Sequence, residues 1–174
     1  MCRLKFVDGF TLLELVILLL VIGIIAMAVL VGQPSLGPIR VMAASNKLKS
    51  DIRFAQNYAL STQKRTRVSF DRALNLYNLY WEQSLGNWVN ITNPTTKQDF
   101  TVNLNQGDYL GVTISSVDFG GTDNSLVFNA GEVPYGYTSG GASSVLVSNG
   151  TVVLSGGQTK TVTVLPQTGK VSVQ

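Results

Sequence analysis

A chain with no histidine and one cysteine, Cys2, cannot assemble a Ser-His-Asp or Cys-His centre, a Cys/His metal site or a disulfide framework. What remains for chemistry is a Ser-Lys pair, carboxylate pairs, and one carboxylate in an unusual place. No motif orders Glu82, Asp99, Asp108, Asp118, Asp123 and Glu132 into a glycosidase-like pair, so the sequence predicts no enzyme and no cofactor. Asp118 to Asn124 clusters oxygen ligands that a hard cation such as calcium could use, but it lacks EF-hand spacing and reads as a polar turn. The unusual carboxylate is Glu14, the only charge between Phe10 and Val31. It stands four positions beyond the junction of Gly9 with Phe10.

The run from Phe10 to Val31 would span roughly 33 Å as a helix at about 1.5 Å per residue, close to the hydrocarbon thickness of a bilayer. Arg3 and Lys5 precede it and the next charge is Arg40, which puts the N-terminus in the cytoplasm and the rest outside. Three fates fit such a segment. Ala26-Met27-Ala28 imitates a leader-peptidase site, which would release an exported β-sandwich binding protein, although the apolar stretch is long for a signal peptide and contains Glu14. A plain membrane anchor leaves Glu14 unexplained. In the third, a cut between Gly9 and Phe10 creates an α-amino group that the carboxylate of a neighbouring helix neutralises inside an apolar bundle.

A short basic leader, then Gly9-Phe10-Thr11-Leu12-Leu13-Glu14, then a run of Leu, Val, Ile and Ala resembles the start of a type IV prepilin or pseudopilin. The resemblance implies cleavage after Gly9 by a prepilin peptidase, N-methylation of Phe10, and pairing of Glu14 with the amine of an adjacent subunit during filament assembly. It further implies a single-pass protein of the inner membrane with its head in the periplasm or outside the cell, and partners that are other pilin or pseudopilin subunits.

Residues 1–9 then read as leader, 10–31 as a transmembrane and assembly helix, 32–65 as a bend and amphipathic helix, and 66–174 as a β-rich head. Gly32, Pro34, Gly37 and Pro38 should kink or melt the helix. Ala44, Leu48, Ile52, Ala55 and Ala59 recur at helical spacing and predict a face packed on a sheet, while Lys47, Lys49, Arg53 and Lys64 form a solvated or subunit-contact face.

Residues 40–72 carry eight cations against Asp51 and Asp71, a balance of +6; beyond them Lys97, Lys160 and Lys170 face six acids, a balance of −3. The basic character belongs to the neck. Near the end of the chain only Lys160 and Lys170 are basic, so the sequence argues against nucleic acid as a partner.

After Arg65 the hydrophobic period changes to two. Strands are predicted near 67–70, 74–82, 88–91, 100–104, 112–119, 126–128, 144–147, 151–155, 160–165 and 170–173, giving an α+β protein whose long N-terminal helix packs on an antiparallel, sandwich-like head. Trp81 and Trp88 flank the Gly86-Asn87 turn and are expected to pack across the hairpin. Val133 to Gly141 reads as a flexible loop in which Tyr135 and Tyr137 could anchor a partner. Phe128 followed by Gly131, a strand led by Gly150, an alternating strand and a terminal Thr168-Gly169-Lys170-Val171 resemble the GspH/FimT group of minor pseudopilins and pilins. That resemblance implies a part in initiating, or capping the tip of, a type II secretion pseudopilus or a type IV pilus.

Overall fold

Hydrophobic residues on every side of one helix, and on one side of the next, divide the chain into two units, Met1–Ser35 and Leu36–Gln174. The computed structural model describes residues 10–31, 36–131, 133–138 and 143–174. The leader with Gly9 and bend residues 32–35 lie outside the described residues, as do Glu132 and residues 139–142.

In the first unit α1 runs Leu12–Val31. Its described side chains, from Leu12 to Met27, are all exposed and mark no polar face beyond Glu14. That fully described stretch covers about 24 Å, and the backbone helix to Val31 about 30 Å. No helix is long and apolar enough to cross a membrane when only the described residues are counted.

In the second unit α2 (Gly37–Thr62) starts inside the expected bend, because Pro38 sits in the first helical turn, where its missing N–H removes no hydrogen bond. It ends at Gln63, which adopts a left-handed conformation. All five residues of the expected apolar face are buried, and Val41, Ser45 and Asp51 are buried with them.

Among the described residues eleven strands follow: β1 (Thr66–Asp71), β2 (Leu76–Ser84), β3 (Asn87–Asn90), β4 (Thr101–Asn103), β5 (Thr113–Asp118), β6 (Ser125–Phe128), β7 (Pro134–Tyr137), β8 (Ser143–Val145), β9 (Gly150–Ser155), β10 (Thr159–Val164) and β11 (Val171–Val173). They pair antiparallel into a seven-stranded sheet, ordered β3-β2-β1-β6-β7-β8 with β4 also on β2, and a four-stranded sheet, ordered β11-β10-β9-β5. One core joins α2 to the inner faces of both, through Leu48, Ile52, Val68, Leu79, Leu126, Val152 and Val162 among others.

Two polar devices lock these layers. Thr66 Oγ1 donates 2.9 Å to the Ala55 carbonyl, tying β1 to α2. Asn75, buried at the β1–β2 turn with φ 54°, donates to Asn105 Oδ1 and the Val112 carbonyl at 2.9 and 2.6 Å and accepts from the Ile114 N–H at 2.8 Å. At the start of α2, a Cβ on Gly37 would lie 2.6 Å from the Gly156 carbonyl oxygen, so the helix and the β9–β10 turn meet backbone to backbone. Gln158 seals that contact by donating to the Pro38 carbonyl at 2.9 Å.

Candidate functional site

The N-terminal motif acquires a local geometry. Thr11 precedes α1, and its Oγ1 accepts from the Glu14 N–H at 3.3 Å while its carbonyl accepts from the Leu15 N–H at 3.2 Å. Thr11 is therefore the N-cap, and Thr11-x-x-Glu14 has the spacing of a capping box. Glu14 lies in the first turn, where the helix dipole favours a carboxylate by about 0.3–1 kcal/mol. The expense of placing a charge in an apolar run is thus lower than at mid-span. Phe10 is 74% exposed, and among the described residues no cation pairs with Glu14.

The neck is less solvated than its charges predict. Lys47 bonds the carboxylate of buried Asp51, whose other oxygen accepts from the Tyr77 hydroxyl at 2.7 Å. Arg53 donates to the Val171 carbonyl at 3.4 Å, and Lys64 lies 3.9 Å from the Trp81 ring centroid. With Lys49, these side chains were expected on a solvated or subunit-contact face; Lys47 instead meets a carboxylate of its own helix, Arg53 a carbonyl of the head and Lys64 a ring of the head.

Burial pushes the Asp51 carboxyl above its ordinary value, against the opposing pull of hydrogen bonds from Lys47 and Tyr77. The Tyr77 hydroxyl is raised as well, by burial first and then by Asp51. A carboxyl raised in the folded state binds its proton more tightly there than in the unfolded chain. Its stabilising contribution is therefore fully present below the ordinary Asp pKa and is lost as pH rises through the raised one. Asp51→Asn, which keeps an acceptor for Tyr77, should gain stability relative to wild type between about pH 4, near the unfolded value, and neutrality. Melting temperatures of both proteins across that range read the trend, and parallel curves would contradict it.

Tyr135 and Tyr137 stand on a strand, which corrects the loop expected there. β7 pairs with β6 through Val127 and Tyr135, and with β8 through Tyr135 and Val145. Pro134 takes the first position of the strand, where proline is tolerated, and a Cβ on Gly136 would collide with the Phe119 carbonyl. Tyr137 is only 8% exposed, whereas Tyr135 is half-buried.

The tryptophans are not opposed either. Trp81 pairs with Val89 and Trp88 with Glu82, so the two rings occupy opposite faces of the hairpin. Trp88 meets Tyr137 edge to face, with ring centroids 5.9 Å apart. The Asp118 turn is closed by its own bonds, Asp118 Oδ1 accepting from the Gly120 N–H at 3.0 Å. Among the described residues no group of three or more potential metal ligands occurs.

A family profile described as type II transport protein GspH matches residues 44–168. The chain belongs to the GspH family. This match excludes the N-terminal motif, so the family rests on the head and the neck alone. Membership makes the chain a minor pseudopilin or pilin subunit.

Two solved structures share the fold of this GspH-family chain. The minor pseudopilin EpsH from the type 2 secretion system of Vibrio cholerae is 11% identical with a TM-score of 0.55, covering 78% of this chain and 96% of its own. The type IV minor pilin FimU of Pseudomonas aeruginosa is 14% identical with a TM-score of 0.51, covering 79% and 90%. No curated protein matches the sequence.

Proposed function

We propose that this GspH-family chain is a non-enzymatic subunit, processed by prepilin peptidase, held in the inner membrane by α1, and drawn into a short filament that it helps to initiate or to cap. The observation that carries the reading is α1 itself. A helix apolar on all sides, with a single carboxylate in its first turn, needs lipid or other helices around it. Lipid holds it before assembly and neighbouring helices hold it afterwards. Glu14 then pairs with the amine that cleavage leaves on Phe10 of an adjacent subunit.

The second unit carries an apolar patch of its own on the neck. Ile39, 63% exposed, and Met42, 45% exposed, line a shallow recess of about 460 Å³ with Pro38, Ala43 and Asn46, suited to the side chains of a neighbouring helix.

The intact mass and N-terminal residue of the mature protein test the reading. The expected species begins at Phe10 and carries one methyl group. A chain beginning at Val29 would indicate release by signal peptidase, and one beginning at Met1 a plain anchor. Deletion separates the two machines: lost protein secretion places the subunit in a type II pseudopilus, lost piliation in a type IV pilus.

A further inference from the structure

The outer face of the seven-stranded sheet has its own constellation. Along β1, Thr66, Val68 and Phe70 enter the core while Arg67 points the other way, in register with Tyr80 on β2 and Val127 on β6. The Arg67 guanidinium carbon lies 4.7 Å from the ring centroid of Trp88 and 5.0 Å from those of Tyr80 and Tyr137. The three rings come from three different strands.

Among the described residues three buried polar atoms on this face have no hydrogen-bond partner: Arg67 Nε, Trp88 Nε1 and Asn90 Oδ1. Such orphans are few in folded proteins and require a reason. Among the described residues Arg67 also has no carboxylate partner, whereas its neighbour Arg65 is held by Glu82 at 3.2 Å and by Asn129. Rings alone would account for a cation packed as glue. They do not account for its own Nε–H and the Trp88 indole N–H being buried with no acceptor among the described residues.

We propose that this face binds a carboxylate side chain presented by another protein, with Arg67 as the anchor and Tyr80, Trp88 and Tyr137 as its walls. Charge favours that occupant. One guanidinium with no carboxylate partner among the described residues matches one carboxylate, and the Arg65–Glu82 pair beside it offers no second free cation for a polyphosphate backbone. A partner seated here also covers half-buried Tyr135 and exposed Val145, in the pattern of an apolar rim around a charged centre.

Side-chain resonances of the ¹⁵N-labelled full chain in detergent micelles provide the test, because Trp88 lies in the cage and Trp81 on the opposite face. Hexaglutamate should shift the Trp88 indole N–H saturably and leave that of Trp81 in place, while hexaglutamine does nothing. Arg67→Gln should weaken the binding by about tenfold or more, the scale of losing a charge-assisted contact. If that variant fails to fold, Arg67→Lys supplies the comparison, since it keeps the charge but loses the planar fork and should still weaken binding measurably. No shift, equal shifts at both tryptophans, unchanged affinity in a folded variant, or tighter binding of hexathymidylate than of hexaglutamate would each overturn the proposal.

Discussion

If the proposed function holds, Glu14→Gln is expected to lower incorporation of the chain into filaments by about tenfold or more, with processing after Gly9 and folding of the head unchanged. Glutamine at the third helical position keeps the capping-box spacing and the bond from the residue 14 N–H to Thr11 Oγ1, so the start of α1 should survive with only the charge lost. Two opposite charges about 4 Å apart at an effective dielectric near 20 attract by about 4 kcal/mol, and a factor of ten in assembly needs about 1.4 kcal/mol. Desolvating both groups offsets much of that attraction, but losing Glu14 alone would leave the partner amine buried and unpaired, and breaking a buried pair in this way costs about 3–5 kcal/mol. Quantifying the subunit in sheared filaments, beside the mass of the processed chain, reads the effect. Wild-type incorporation of Glu14→Gln would reduce Glu14 to a cap.

Asn75→Ala is the substitution expected to cost the head most, about 4 kcal/mol. It removes three hydrogen bonds of about 1 kcal/mol each and puts a Cβ residue without a local polar side chain at φ 54°, worth about 1 kcal/mol more. Asn75→Gly separates the contributions, since glycine accepts the backbone but not the bonds, and should recover only the last of these. Urea unfolding of the two variants followed by circular dichroism distinguishes them; equal stabilities would place the whole effect in the hydrogen bonds.

The parts legible in the sequence are those governed by local period. Ala44, Leu48, Ile52, Ala55 and Ala59 mark the buried stripe of α2 because helical spacing repeats within a few residues. The alternation in β1 and β9 is equally local, whereas β10 buries Val162, Thr163 and Val164 in succession. Asp51 was hidden because an acid on an amphipathic helix looks solvated until its partner, Tyr77 from a distant strand, is in place. β7 was hidden because Pro134 and Gly136 are loop residues by composition, and only the close approach of Phe119 explains the glycine.

Register hides more than composition does. A single step decides whether Trp81 and Trp88 share a face, and the hairpin pairs each with another residue. The cage around Arg67 draws on β1, β2, β3 and β7, which only the sheet order brings near one another, with β6 lying between β1 and β7. A signal was nevertheless present: an arginine at an alternating strand position, with aromatics at the outward positions of the strands beside it.

The backbone contact between Gly37 and Gly156 makes the second unit a mechanical coupling. A pull applied at Leu36 loads the β9–β10 turn through Gln158 as well as the first turn of α2, and β9 and β10 hand that load across their paired backbones to β5 and β11. Tension along the neck thus spreads over a whole sheet in parallel instead of peeling the helix away turn by turn.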